Sequence, residues 1–148
     1  MTVDRRRLGC HSKRGTMMSD GHDYEVLTRE FCQTWELSDT AAVVAWFTED
    51  ATYHNIPVDP LVGHEAIAGM VDMFTTGLTV VEYKILEMVS RGSTVMTERI
   101  DVFRKADGGL VELPVMGIFE WQGDKIANWR EYFDLNQFMS QAADAITG

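Results

Sequence analysis

Three short stretches hold acids, a guanidinium, a phenol and an amide at spacings that strand geometry would gather. Within Thr94–Lys105, Arg99 and Asp101 stand two positions apart. Successive strand side chains point to opposite faces, so these two share a face, rooted about 7 Å apart. Val95, Thr97 and Phe103 lie on that face, and Met96, Glu98, Ile100 and Val102 on the other. Both faces are mixed, so alternation alone leaves open which one points inward. Facing inward, the pair must satisfy itself, because an isolated buried charge is expensive. Facing outward, it is an ordinary surface ion pair of little value. Within Lys125–Phe133, Glu131 shares a face with Trp129 and Phe133, which either buries its carboxylate or sets it at an edge. Within Ala51–Ile56, Tyr53 and Asn55 point the same way, and a phenol and an amide so placed can hold one water between them. His54 points to the opposite face, as a structural or exposed residue. Two carboxyl groups near one guanidinium suit paired acid and base work. Close like charges push their pKa values apart, while the arginine keeps an ionised partner charged.

The elements that must carry these residues follow from periodicity. Tyr24, Leu27, Phe31 and Trp35 recur at helical spacing over Tyr24–Leu37. Asp39 can cap a second helix bearing Ala42, Val43, Trp46 and Phe47. A short strand over Ala51–Ile56 leads into a turn over Pro57–Gly63, and His64–Thr76 reads as a third helix. Four strands then follow in hairpin succession: Thr79–Val89, Thr94–Lys105, Leu110–Trp121 interrupted by Pro114, and Lys125–Phe133. A last helix spans Leu135–Ile146, with Asp134 as its cap. Helices ahead of a run of antiparallel strands argue an α+β fold, in which a curved sheet packed on helices leaves an apolar cavity. This order of elements is similar to that of the cone-shaped fold shared by nuclear transport factor 2, ketosteroid isomerases and polyketide cyclases. That likeness implies a mixed or antiparallel cystatin-like sheet with a deep pocket, and leaves the chemistry open.

Composition narrows the classes of function. The chain has 148 residues, suited to one domain able to bury a core. Net charge is −10, which repels nucleic acid and anionic membranes, and no apolar run approaches a membrane span. Arg5, Arg6, Arg7, Lys13 and Arg14 crowd the start, where apolar periodicity is missing. Residues 1–20 therefore read as a disordered basic tail and 21–148 as a single domain, with Met17 or Met18 as a candidate start. Two cysteines, Cys10 and Cys32, argue against a disulfide framework and fit a reducing cytoplasm. His11, His22, His54 and His64 show no ligand spacing, so neither a metal nor another cofactor is expected.

Tyr53-His54-Asn55-Ile56-Pro57, Thr97-Glu98-Arg99-Ile100-Asp101-Val102 and Trp129-Arg130-Glu131-Tyr132-Phe133-Asp134 together resemble the limonene-1,2-epoxide hydrolase family. The resemblance covers nearly the whole chain after the tail. It implies addition of water to a small hydrophobic epoxide, terpene-like or lipid-like, giving a vicinal diol in one step without a covalent ester. Asp101 then corresponds to the acid that protonates the epoxide oxygen. Arg99 corresponds to the bridge between the carboxylates, Tyr53 and Asn55 to the holders of the water, and Glu131 to its base. The family usually has aspartate where this chain has Glu131; the extra methylene bears on rate and substrate scope, since a displacement near 1 Å can cost on the order of 100-fold. Phe74, Leu78, Val80, Phe103, Leu113, Val115, Phe133 and Phe138 are candidates for the pocket wall, and the nine methionines for an adaptable lining. Trp35, Trp46 and Trp121 read as core or interface aromatics. The family also implies a homodimer through the outer sheet face. Two rivals stand beside this reading: an isomerase-like or polyketide-cyclase-like enzyme of the same fold, and a non-catalytic binder of small hydrophobic molecules.

Overall fold

A computed structural model of the chain describes residues 21–146. The expected tail over 1–20, Cys10 included, lies outside the described residues. Six strands and four helices follow in order: α1 (Tyr24–Thr34), α2 (Thr40–Val44), β1 (Phe47–Asn55), β2 (Leu61–Val62), α3 (Gly63–Gly77), β3 (Leu78–Arg91), β4 (Thr94–Lys105), β5 (Leu110–Gln122), β6 (Lys125–Tyr132) and α4 (Leu135–Ile146). A single 3-10 turn, Trp35–Leu37, extends α1.

The strands form one mixed sheet in the order β2-β1-β6-β5-β4-β3. β1 runs parallel to β6, and every other neighbouring pair is antiparallel. Register shifts in β1, in β3 and between β5 and β6 bend the strands, and the sheet stays open. On β4 and β5 burial alternates with period 2, so Val95, Thr97, Arg99, Asp101 and Phe103 face the helices together with Leu113, Val115 and Phe119. The face that alternation left open is therefore the inner one.

Aspartate caps set the starts of α1, α2 and α4. Asp23, Asp39 and Asp134 accept from the backbone N–H three residues on, at 3.1, 3.0 and 3.0 Å. Three sequence expectations need correction. The second helix stops at Val44, and Phe47 opens β1 instead of continuing a helical stripe, because β6 captures this segment: Ile126 N donates to Trp46 O at 2.8 Å, and Phe47 pairs with Ile126. The turn over Pro57–Gly63 contains the short edge strand β2. Pro114 does not interrupt β5. Glu112 N turns away from β4 to Gln141 Oε1 of α4, and Pro114, two residues on, turns the same way beyond the last β5–β6 pair, Met116–Tyr132. The N–H that proline lacks is thus not one the β4 ladder needs.

Phe31 of α1 sits at the centre of the core with its ring edge-to-face to Trp35, Trp46, Phe47, Phe119 and Trp129, at centroid distances of 4.9–6.4 Å. It is fully buried and joins the helical layer to β1, β5 and β6. Phe31→Ala is expected to cost about 3–5 kcal/mol, the range for emptying an aromatic core site. Urea unfolding of the two proteins measures it.

Candidate active site

Arg99 is the centre of the site, and it is completely buried. Its Nε donates to Asp101 Oδ1 at 2.9 Å and its Nη2 to Asp101 Oδ2 at 3.0 Å. Nη2 also donates to Glu131 Oε1 at 2.6 Å, and Nη1 to Thr97 Oγ1 at 2.9 Å. Strand alternation explains the first three members: Thr97, Arg99 and Asp101 stand at every second position of β4. Glu131 arrives from β6, two strands away, across Gly117 of β5. The guanidinium lies between two ring faces, with Cζ 5.2 Å from the Tyr83 centroid and 5.9 Å from that of Phe119.

Both carboxyls are buried, Asp101 at 5% exposure and Glu131 at 3%. Burial pushes the Glu131 carboxyl up from its usual range to about 8; Arg99 opposes that rise and Asp101 adds to it. Trp129 Nε1 lies close enough to favour the ionised form, yet reaches no hydrogen-bond geometry with it, so Glu131 Oε2 is left without a partner among the described residues. An unpartnered buried carboxylate oxygen is costly, and is also a lone pair free to accept a proton.

The phenol and amide come from β1 through the parallel β1–β6 pairing. Tyr53 registers with Trp129, and Asn55 with Glu131. The Tyr53 ring stacks on Trp129 at 4.3 Å, Trp129 stacks on Phe119 at 5.4 Å, and Tyr53 Oη donates to Asn55 Oδ1 at 3.2 Å. Burial and the nearby Glu131 hold the Tyr53 phenol neutral by raising its pKa. It therefore acts as a donor. His54, on the other side, meets Val58 O at 3.0 Å through Nε2 and takes no part.

Asp101, Glu131, Tyr53 and Asn55 open onto a cavity of about 280 Å³. Six of the eight candidate wall residues line it: Phe74, Phe103, Leu113, Val115, Phe133 and Phe138. Leu78 and Val80 do not; they open β3 and are buried at 1% and 2% in the core, where β3 packs against α1 and α3. Trp35, read as core or interface, lines the cavity while being nearly buried. Sequence reasoning missed Tyr83, Val58, Leu135 and Ile146, and it did not single out Met70, Met73 and Met139 among the methionines. Tyr83 pairs with Asp101 across β3–β4, a register that periodicity within one strand cannot reveal. Thr97 had a signal, its place on the Arg99 face. Among the described residues, no cluster of His, Cys, Asp and Glu is arranged to hold a metal ion, and no helix is long and apolar enough to cross a membrane.

Comparison with solved structures finds the same architecture in several proteins. An LEH-like epoxide hydrolase from M. tuberculosis aligns with a TM-score of 0.70 at 23% identity, over 84% of this chain and 92% of that one. A protein with a ketosteroid isomerase-like fold from Catenulispora acidiphila aligns with a TM-score of 0.70 at 18% identity, over 79% of this chain and 92% of that one. A Bacillus subtilis protein assigned provisionally as an isomerase aligns with a TM-score of 0.74 at 14% identity, over 84% and 96%. These likenesses establish the cone-shaped α+β fold and carry no activity with them. The sequence itself goes further, because the model of the limonene-1,2-epoxide hydrolase catalytic domain matches residues 25–144. The chain belongs to the limonene-1,2-epoxide hydrolase family.

Proposed function

We propose that this protein adds water to a small hydrophobic epoxide, giving a vicinal diol in one step. One observation carries the reading: a buried guanidinium bridges two buried carboxyls at the wall of an apolar cavity, beside a coupled phenol and amide. An epoxide is a poor electrophile toward neutral water. Opening it needs a proton for the departing oxygen and a base for the incoming water. Tyr53 and Asn55 position the water against Glu131, whose free Oε2 takes its proton. The water oxygen bonds to an epoxide carbon as that carbon's bond to the ring oxygen breaks. Asp101 gives its proton to that oxygen, and configuration inverts at the attacked carbon. The two carboxyls share one proton, which belongs to the pair and not to either residue. After turnover it returns from Glu131 to Asp101, both held by Arg99 Nη2. General acid and base assistance of this kind is worth roughly 10²–10⁴-fold per group.

The cavity fits a compact apolar substrate. At about 280 Å³ it lies at the small end of ligand pockets. Its wall is aromatic and methionine-rich, with polar groups on the side of the ion triad. Limonene oxide, styrene oxide and cyclohexene oxide are suitable probes. The rival reading, a non-catalytic binder, predicts binding without turnover.

A homodimer through the outer sheet face belongs to the same proposal. Val89, Met96, Met116 and Tyr132 are all more than one-third exposed there. Val89 pairs with Met96, Met96 with Ile118 and Met116 with Tyr132, so apolar side chains run across this face from β3 to β6, with Glu98 opposite Met116.

In ¹⁸O-labelled water the diol should carry one labelled oxygen. Asp101→Asn and Glu131→Gln should each lower kcat by roughly 10²–10⁴-fold with fold and ligand binding retained; undiminished turnover in either variant sinks the assignment. The pH profile has a definite sign. The pair acts only while it holds its one shared proton, so kcat/KM should fall as pH rises through about 8, where that proton is lost. The raised pKa of Glu131 stabilises the folded chain below the unfolded-state value near 4.5, a contribution lost as pH rises through about 8. Stability relative to Glu131→Gln should therefore fall between pH 5 and about 9, as read by urea unfolding at each pH. Light scattering should return twice the 16.7 kDa chain mass, and Met96→Glu with Met116→Glu should halve it.

A further inference from the structure

A glycine inside a central strand loses conformational entropy and packs nothing, so it needs a local reason. Gly117 has no backbone reason, for it is not among the glycines with positive φ. Its reason is space. It faces the inner side of β5, paired with Thr97 of β4 on one flank and Glu131 of β6 on the other. A Cβ there would stand 2.5 Å from Arg99 Nη1, 2.7 Å from Glu131 Oε2 and 3.0 Å from Thr97 Oγ1. Two of these atoms belong to the ion triad and the third to the threonine that accepts from it, so a methyl group at this position would press on the site's side chains and not on the backbone of the sheet.

We propose that Gly117 is a positioning residue: the notch left by its missing side chain seats the Glu131 carboxyl against Arg99 with one oxygen free for the water. The proposal rests on the epoxide-hydrolase reading for its chemistry, but not for its geometry. Among the three crowded groups, Arg99 is the least able to yield. Four hydrogen bonds hold it, and the Tyr83 and Phe119 rings clamp it. Thr97 is short and already accepts from Arg99. Glu131 Oε2 has no hydrogen bond to lose, so its carboxyl is the group that turns. Turning it bends the 2.6 Å bond to Arg99 and re-aims the base. Aspartate, one methylene shorter, withdraws the carboxyl from the notch and leaves room for a methyl group. Gly117 and the length of the acid at position 131 are therefore coupled.

The test compares the parent with Gly117→Ala, Glu131→Asp and the double variant on styrene oxide. Gly117→Ala should lose about 100-fold in kcat, with KM within roughly threefold of the parent. The double variant should regain roughly tenfold or more. Parental kcat in Gly117→Ala, or a loss that Glu131→Asp does not relieve, overturns the proposal. A second readout needs no turnover: the Glu131 carboxyl is titrated by NMR in protein carrying ¹³C-labelled glutamate, with Glu131→Gln assigning the signal. Gly117→Ala should move that midpoint, and an unmoved midpoint overturns the proposal. If the parent opens no epoxide, the functional reading fails alone and the titration decides the role of Gly117. If Gly117→Ala does not fold, recovery of folding in the double variant supports the coupling, and failure of both overturns it.

Discussion

A guanidinium with no solvent exposure dominates this molecule. Removing such a charge from water is affordable only when its donors are met and its charge is balanced nearby. Asp101, Glu131 and Thr97 meet the donors, and two aromatic rings cover the guanidinium. Two acids around one base leave the site with a surplus of negative charge unless it keeps a proton. Burial acts on that surplus through Glu131, pushing its carboxyl from the ordinary range up to about 8. The interaction that makes the core tolerable thus also leaves a titratable group facing the cavity.

The sheet delivers these groups through register more than through any one strand. β4 supplies three of them by alternation, β5 supplies a gap, and β6 supplies the second acid. The parallel pairing of β1 with β6 sets Tyr53 on Trp129 and Asn55 beside Glu131. A slip of one residue would turn the whole set to the opposite face. The column Tyr53–Trp129–Phe119, with Phe31 edge-on to its last two rings, fixes that register from the core side. Core packing and site geometry are therefore one arrangement of residues.

The cone is shared with proteins of ketosteroid isomerase-like fold, so architecture alone does not choose a reaction. The choice lies in a few inward positions. An apolar wall strengthens every electrostatic interaction at them, because field lines pass through little water. The same wall offers little to hold a charged ligand.

Much was legible in the chain before folding was considered. Helix and strand periods, aspartate caps and glycine turns marked five of the six strands and most helix limits, since those signals are local. The pairs Arg99–Asp101 and Tyr53–Asn55 were legible for the same reason, being two residues apart on one strand. Glu131 stood out as an acid between aromatic residues, and its partner came into view only through the family resemblance. Which face of β4 turns inward could not be read, because both faces mix polar and apolar residues and only the packed helices distinguish them. Tyr83 and Gly117 owe their places to pairing with other strands, and Leu78 and Val80 fell into the core because β3 packs against α1 and α3. Local chemistry was written in the residue order; which groups touch was decided by register and burial, which are properties of the assembled sheet.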